Sequence, residues 1–243
     1  MKFFARLSAL GAVAVLSTAF ASATVYQFGS YATGAPTLGN QNSAMVFDTV
    51  NSQANPGVIY TPATQTVDPG LVWAPNLPHS TWVSFGQTGP TTPAGSMPGG
   101  AFPLNGSYFF TSTFTLDAQA TAFSFSILAD DTTSVYLDGQ TGNALVGESS
   151  GNNVICNTDT PNCKDVVTVT QADVPLALLL LTAGTHTLTF EVKQIRSIDL
   201  GVDFSSTVTT TPSQVPEPSS LLLLGTGLIG SAGALMRKAR ARA

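Results

Sequence analysis

Residues 108–116 read Tyr-Phe-Phe-Thr-Ser-Thr-Phe-Thr-Leu, and apolar side chains alternate with polar ones through most of this stretch. Phe110, Phe114 and Leu116 fall on one register, which a strand with one buried face requires. The same alternation returns in residues 185–192, where Leu188 and Phe190 share a register. The two stretches therefore predict two half-buried β-strands.

Further strands are predicted between residues 122 and 204, with clear turn residues between them. Their predicted bounds are 122–128, 134–137, 144–146, 166–170 and 198–204. Asp138-Gly139 and Ala183-Gly184 supply the residues that tight turns prefer. The run at 174–181 fits either a short helix or a buried strand. About seven antiparallel strands with long connections predict an all-β fold, an antiparallel β-sandwich or jelly roll.

Residues 24–106 are rich in Gly, Pro, Asn and Thr, and the density of prolines excludes long helices and central strands. Short edge strands and long loops are expected here, ordered around Trp73 and Trp82. These rings have two interpretations. With Tyr60 they could form a platform on which sugar rings stack, or they could anchor the core, which is the usual role of large aromatic residues.

The first 23 residues have the three parts of a secretory signal peptide. Lys2 and Arg6 precede an uncharged apolar run at 7–20, and Ala21 and Ala23 form a small-x-small cleavage site. A buried N-terminal helix is the alternative, but it does not explain the order of these parts. We therefore predict cleavage after residue 23 and export of the remaining chain.

The C-terminal region has a comparable arrangement in reverse order. Residues 221–236 are apolar, the predicted helix covers the 18 residues 219–236, and Arg237, Lys238, Arg240 and Arg242 follow directly. A helix of this length spans roughly 27 Å at about 1.5 Å per residue, which is enough for a thin bilayer. Since a basic cluster after such a segment stays cytoplasmic, we predict a transmembrane helix with the rest of the chain outside.

Cationic and acidic residues are distributed differently between the two ends of the chain and its middle. Between residues 24 and 218 there are three cationic residues, Lys164, Lys193 and Arg196, and all 14 acidic residues, giving a net charge of −11. Phosphate contacts require Lys and Arg, so this composition excludes nucleic acid as a partner.

The segment Val215-Pro216-Glu217-Pro218 comes directly before the apolar run and the basic cluster. This three-part tail closely resembles the PEP-CTERM sorting signal. The resemblance implies recognition of Pro216, Glu217 and Pro218 by an exosortase, a membrane cysteine transpeptidase-like enzyme of bacteria that make extracellular polysaccharide. An ordinary single-pass anchor behind a proline-rich linker is the alternative, and it predicts the same topology without processing.

With this tail, the chain divides into four predicted segments. They are a signal peptide at 1–23, an extracellular β-sandwich domain at 24–206, a Thr/Ser/Pro spacer at 207–214 and the PEP-CTERM sorting signal at 215–243. The spacer is assigned because it has too few apolar residues to offset the entropy lost on ordering.

A second resemblance lies within the domain, in residues 109–117, 128–139 and 183–193. In this order they resemble the jelly roll of galactose-binding-like domains. There, an acidic pair precedes a strand that ends in a hairpin, and a later strand similar to Ala-Gly-Thr-His-Thr-Leu-Thr-Phe returns to the sheet. The resemblance implies the jelly-roll fold for roughly residues 45–206.

Cys156 and Cys163 are the two cysteines of the chain, and both lie in the polar stretch CNTDTPNC. Since an exported protein meets an oxidising compartment, we predict a disulfide between them. It would close a short loop and stabilise the fold by about 2 kcal/mol. A metal site on the two cysteines is the alternative, but His79 and His186 are distant in sequence.

Asp130 and Asp131 are adjacent acids that precede a predicted strand. Neighbouring side chains on an extended chain point to opposite faces, so this pair cannot flank one scissile bond. We interpret the pair first as the cap of a turn before the strand at 134–137, and second as including one ligand of a structural Ca²⁺ that loop carbonyls also bind. No EF-hand, H-E-x-x-H or G-x-S-x-G motif occurs, so we predict neither catalytic residues nor another cofactor.

His186 shares its register with Leu188 and Phe190, which predicts a hydrogen-bonded core or edge histidine instead of a catalytic base. His79 lies in a loop between Pro78 and Trp82 and is expected to be exposed.

The sequence therefore predicts an exported, non-enzymatic surface or extracellular-matrix protein, structural or glycan-associated in the exopolysaccharide layer. We expect it in the cell envelope, anchored in the membrane or released after C-terminal processing. Its expected partners are an exosortase-type enzyme, the membrane through the C-terminal helix, and extracellular polysaccharide. The alternative is an exported glycan-active enzyme with an unrecognised site.

Overall fold

The computed structural model describes residues 23–30, 41–91, 103–139, 144–147, 160–195, 198–211 and 220–241. Ala23–Pro212 forms one compact unit, and the C-terminal helix belongs to another. In chain order the elements are β1 (Val25–Gly29), β2 (Gln41–Asp48), β3 (Ala63–Thr66), β4 (Val83–Ser84), β5 (Gly106–Leu116), β6 (Ala120–Asp130), β7 (Thr132–Leu137), β8 (Ala144–Val146), β9 (Val167–Thr170), α1 (Pro175–Leu180), β10 (Gly184–Gln194), β11 (Gly201–Thr210) and α2 (Ser220–Arg240).

The four longest strands form two long antiparallel pairs. Strand β10 pairs with β5 along its whole length, from Gly184 opposite Leu116 to Gln194 opposite Gly106. Strand β11 pairs with β6 from Gly201 opposite Asp130 to its C-terminal end. In β10, side chains that are buried alternate with side chains that are partly or fully exposed, as the period of two in the sequence predicts.

The eleven strands found among the described residues belong to one antiparallel sheet that folds back on itself. Its strand order is β8-β7-β10-β5-β2-β3-β4-β11-β6-β9, and β1 pairs with β11 off this path. The two ends of the sheet face each other, because Phe190 of β10 lies 4.8 Å from Phe204 of β11 and 6.2 Å from Phe125 of β6, measured between ring centroids. This nearly closed antiparallel sandwich confirms the predicted all-β fold.

The interior of the sandwich is filled by large apolar side chains from both halves of the sheet. Phe47, Tyr108, Phe110, Phe190 and Phe204 are among the fully buried residues of this main cluster. A smaller cluster covers one end of β6 and consists of Val67, Trp73, Trp82, Leu128 and Cys163. We call these the main core and the tryptophan cluster.

The predicted strands from β5 to β10 are present with small shifts of their ends, and the ambiguous run at 174–181 contains the short helix α1. Strand β11 begins three residues later and ends six residues later than the strand predicted at 198–204. One predicted boundary is wrong. Residues 207–210, assigned to the spacer, continue β11, where Thr207 pairs with Ser124 of β6 and with Gln27 of β1. Their backbone groups are satisfied by two neighbouring strands, so the segment gains order without large apolar side chains.

The expectation of edge strands in the N-terminal half is only partly correct. Strand β1 lies at an edge, whereas β2, β3 and β4 lie in the middle of the strand order and connect the two halves of the sheet. Pro62 directly precedes β3, and its carbonyl oxygen accepts the amide of Phe47 at 2.9 Å. The prolines therefore flank these short strands without interrupting them.

The helix expected in the C-terminal region is present as α2, and its last turn contains Arg237, Lys238 and Arg240. Within the part of the chain that the structure describes, no helix combines the length and the apolarity needed to cross a membrane. The transmembrane span predicted at 219–236 is therefore not confirmed.

Candidate functional site

Trp73 and Trp82 lie against each other, with ring centroids 4.3 Å apart and planes tilted by 35°. Both are buried, with 3% and 0% of their surface exposed. The Nε1 of Trp82 donates to the carbonyl oxygen of Ala74 at 2.9 Å, and the Nε1 of Trp73 donates to Asp130 Oδ2 at 2.5 Å. The rings belong to the core, and an exposed platform of these rings for ligands is not supported.

Asp130 and Asp131 are also buried, at the junction between β6 and β7. The carboxylate of Asp131 accepts the amide of Ile195 at 2.6 Å, and the amide of Asp131 donates to the carbonyl of Lys193 at 3.0 Å. Asp131 therefore joins the start of β7 to the end of β10, which differs from the local turn cap predicted for it.

Burial governs the protonation of these acids. Burial first, and then the neighbouring charge of Asp131, raises the pKa of Asp130 well above its usual range. The same two causes raise the pKa of Asp199 to about 6. Across the described residues, no group of three or more His, Cys, Asp or Glu side chains could hold a metal ion. The Ca²⁺ interpretation of Asp130 and Asp131 therefore gains no support from the arrangement of the side chains.

His186 is buried and both ring nitrogens have polar neighbours. Its Nε2 lies 2.9 Å from the carbonyl oxygen of Thr182, and its Nδ1 lies 3.1 Å from Asp138 Oδ2. These contacts confirm the predicted hydrogen-bonded histidine. His79 is exposed in its loop, as expected.

A further buried carboxylate, Asp203 of β11, was not identified from the sequence. Asp203 Oδ1 accepts from Ser30 Oγ at 2.8 Å, and Asp203 Oδ2 accepts from the amide of Leu77 at 2.9 Å. Burial raises its pKa to about 6. Its position between Val202 and Phe204 was the available sequence indication, because an acid inside an apolar strand segment must be buried with partners.

The outer side of β9, β6, β11 and β1 is a sheet surface made of small uncharged side chains. We call it the hydroxyl face and define it by those outward positions of these strands that are not buried: Val25, Gln27, Ala122, Ser124, Ser126, Thr168, Thr170, Ser205, Thr207 and Thr209. Each is exposed or partly exposed. Seven of the ten carry a hydroxyl group, and this face was not recognised from the sequence.

Between the two halves of the sheet lies a small apolar cavity of about 20 Å³, lined by Phe114, Phe123 and Leu188 among others. This volume accommodates one water molecule at most. The cavity is therefore a packing defect of the main core and not a ligand pocket.

The predicted disulfide and the predicted cleavage site of the signal peptide each include a residue that lies outside the described residues. No described cysteine is free, but Cys156 lies outside the described residues, so its pairing with Cys163 stays a prediction. Ala21 also lies outside them, and Ala23 is the first residue described. The signal peptide and its cleavage remain predictions.

The C-terminal segment joins an apolar helix to a cationic end. In α2, Leu228, Ile229 and Met236 are exposed, and so are Arg237 and Lys238 in the last turn. Residues 216–218 come shortly before α2 in the sequence and lie outside the described residues.

Residues 214–238 match the sequence profile of the PEP-CTERM protein-sorting motif. The chain carries a PEP-CTERM motif. The match includes Pro216, Glu217 and Pro218 and most of α2, so it confirms the resemblance stated from the sequence. A PEP-CTERM motif implies an exported protein that is sorted by an exosortase. Comparison with curated proteins gives no match.

Several solved structures are similar to this PEP-CTERM chain at low identity. The K1 cleaved adhesin domain of Lys-gingipain from Porphyromonas gingivalis is 13% identical, with a TM-score of 0.38, over 78% of this chain and 99% of that one. A family 35 carbohydrate-binding module from Clostridium thermocellum is 9% identical, with a TM-score of 0.28, over 77% and 98%. The enzymatically active domain of tailspike protein 4 from bacteriophage CBA120 is 18% identical, with a TM-score of 0.29, over 69% and 19%. Since these TM-scores are low, the fold assignment depends on the strand pairing described above.

Proposed function

We propose that this chain is a non-catalytic surface protein that an exosortase delivers to the extracellular polysaccharide layer, where its β-sandwich domain associates with glycan. The observation that carries the proposal is the PEP-CTERM motif at residues 214–238. The motif provides the address, and the folded unit before it is the part delivered.

The order of parts in the tail suits processing at a membrane surface. Proline restricts its own backbone and cannot continue a helix, so the sequence Pro216-Glu217-Pro218 disfavours a helix ahead of the apolar run. The cations of the last turn favour the cytoplasmic side of a membrane. We therefore expect an enzyme embedded in the membrane to recognise the Pro216-Glu217-Pro218 sequence at the membrane surface.

The charge of the exported part is compatible with a glycan partner and unfavourable for a polyanionic partner. With three cationic and 14 acidic residues between positions 24 and 218, the domain repels nucleic acid and strongly acidic surfaces. An uncharged or weakly charged polysaccharide has no such barrier.

Fractionation of the producing bacterium tests the sorting part of the proposal. In cells with the exosortase, we expect the domain outside the cell, at the mass of a chain without its tail. In a strain that lacks the exosortase, we expect the domain to be exported but to remain in the membrane fraction at higher mass. Recovery of the domain from the cytoplasm, or the same fraction and mass in both strains, would contradict the proposal.

Affinity electrophoresis in gels that contain the producer's own polysaccharide tests the glycan part. We expect the exported protein to be retarded in proportion to the polysaccharide concentration. The same preparation should release no reducing ends from that polysaccharide. Sustained release would favour the alternative of a glycan-active enzyme.

A further inference from the structure

We infer that the hydroxyl face is the surface through which the domain binds polysaccharide, and that the polysaccharide it binds is uncharged. This inference rests on the proposed association with glycan and adds the binding surface and the ligand class.

The strand register arranges the hydroxyl groups of this face in straight rows. One row runs across the sheet through Thr170, Ser124, Thr207 and Gln27, and the next through Thr168, Ser126 and Ser205. Neighbouring strands lie about 4.8 Å apart, and positions two residues apart on one strand about 6.7 Å apart. The first row therefore extends about 14 Å and offers a regular series of polar groups to an extended chain.

A hydroxyl group both donates and accepts hydrogen bonds, which is also true of every hydroxyl group of a sugar. The contact between Ser126 Oγ and Thr168 Oγ1, at 2.8 Å, shows that neighbouring hydroxyl groups on this face are close enough to act together. Each contact with a sugar would be weak, but a polymer makes many of them at once.

The charge pattern of this face is the observation that selects the ligand. None of its ten residues is charged, and the charged group that touches its margin is an acid, Asp173, whose carboxylate accepts from Thr170 Oγ1 at 3.0 Å. Threonine is common in strands because it fits a pleated surface, so its frequency alone indicates no partner. The opposite face also has threonines, but there Glu191 and Lys193 of β10 occupy outward positions. Edge strands are usually protected by charged side chains, whereas neither edge strand of the hydroxyl face, β1 or β9, contains one.

Net charge excludes the acidic polysaccharides. The exported part carries −11, and the hydroxyl face contributes no cation that could bind a carboxylate or sulfate group. An uncharged polysaccharide loses nothing to this repulsion and matches the face by hydrogen bonding.

Matched substitutions on the two faces test the inference. The test variant changes Thr168, Thr207 and Thr209 to valine, and the control variant changes Thr113, Thr187 and Thr189 of the opposite face to valine. Valine keeps the shape and strand preference of threonine and removes only the hydroxyl group. Each set contains one exposed and two partly exposed residues. Equal melting temperatures of both variants and the parent protein verify that the fold is intact.

Affinity electrophoresis of the exported protein is measured in hydroxyethyl cellulose, which is uncharged, in alginate, which is acidic, and in the producer's polysaccharide. We expect the parent and control proteins to be retarded by hydroxyethyl cellulose and not by alginate. The test variant should bind at least tenfold more weakly, because three hydroxyl groups that would bond to the sugar are lost together.

The outcomes separate this inference from the proposed function. If the parent binds polysaccharide and the test variant binds it equally well, the hydroxyl face is not the binding surface, while the association with glycan stands. Preferential binding to alginate would overturn the choice of an uncharged ligand. If the parent binds none of the three polysaccharides, the proposed association with glycan fails. A parent dimer that the test variant dissolves, seen by light scattering without glycan binding, would assign the face to a second copy of the chain.

Discussion

Ser30 Oγ lies 2.8 Å from Asp203 Oδ1, and this contact joins the residue after β1 to a strand 173 positions later in the chain. The same hydroxyl group lies 2.6 Å from the carbonyl oxygen of Thr81, and the second carboxylate oxygen accepts the amide of Leu77. One buried carboxylate therefore joins β1, β11 and the loop before β4.

Replacing Asp203 by Asn should change how stability depends on pH. Burial raises the pKa of Asp203 to about 6 from its ordinary value of 3.8, so the folded state binds a proton more tightly than the unfolded chain. Its contribution to stability is complete below about pH 4 and is lost as pH rises through about 6, a change on the order of 3 kcal/mol. Urea unfolding at pH 4, 5, 6 and 7 should show the variant gaining stability relative to the parent across this range. If the free energies of unfolding of the parent and the variant change with pH in parallel, the raised pKa of Asp203 is contradicted.

Replacing Ser30 by Ala should lower the free energy of unfolding by about 1–3 kcal/mol, because it removes a buried partner of Asp203. Thr113→Ala is the control, since Thr113 is exposed on β5 and should change stability by less than about 0.5 kcal/mol. Chemical denaturation at pH 7 measures both. Equal effects of the two substitutions would show that the Ser30 contact contributes nothing.

Replacing Gly201 by Ala should destabilise the domain by about 1–3 kcal/mol through overpacking. An added Cβ would lie 2.7 Å from Cη2 of Trp73 and 3.2 Å from Cε3 of Trp82, against buried rings that have no room to move. At Gly86, an added Cβ meets nothing within 4 Å, so Gly86→Ala serves as the control. A Gly201→Ala protein that melts together with the Gly86→Ala protein would contradict the packing described for the tryptophan cluster.

Non-reducing mass spectrometry of the exported protein should show a peptide that links Cys156 to Cys163. The expectation follows from export to an oxidising compartment and from the presence of two cysteines in the chain. Reduction should separate the two peptides. Alkylation of two thiols without prior reduction would refute the bridge.

The strands from β5 onward could be predicted because their alternation of apolar and polar residues is a local property. Phe110, Phe114 and Leu116 alternate with polar residues within one short stretch, and the same is true of Leu188 and Phe190. The central position of β2, β3 and β4 could not be predicted in this way. It results from pairing partners that are distant in sequence, and the prolines beside these strands suggested loops.

The candidate sites also differ in whether they depend on neighbouring residues in the sequence or on contacts between distant ones. The PEP-CTERM motif is contiguous in sequence, so the order of its neighbouring residues is enough to identify it. The contact of Trp73 with Asp130 joins positions 57 residues apart, and the hydroxyl face combines four strands through their register. Single residues of the face are ordinary strand threonines, and only the pairing of β9, β6, β11 and β1 makes them one surface.

The intact mass of the protein recovered from cells tests the central claim, that Pro216-Glu217-Pro218 is read by a processing enzyme. The parent protein should lack the α2 segment, whereas Glu217→Ala should leave export and folding unchanged and give a protein of unprocessed mass in the membrane fraction. Asp173→Ala, a change of one exposed acid in the folded domain, is the control and should be processed normally. If the parent and Glu217→Ala proteins have the same C-terminus and the same membrane retention, the motif does not direct sorting, and the central claim is contradicted.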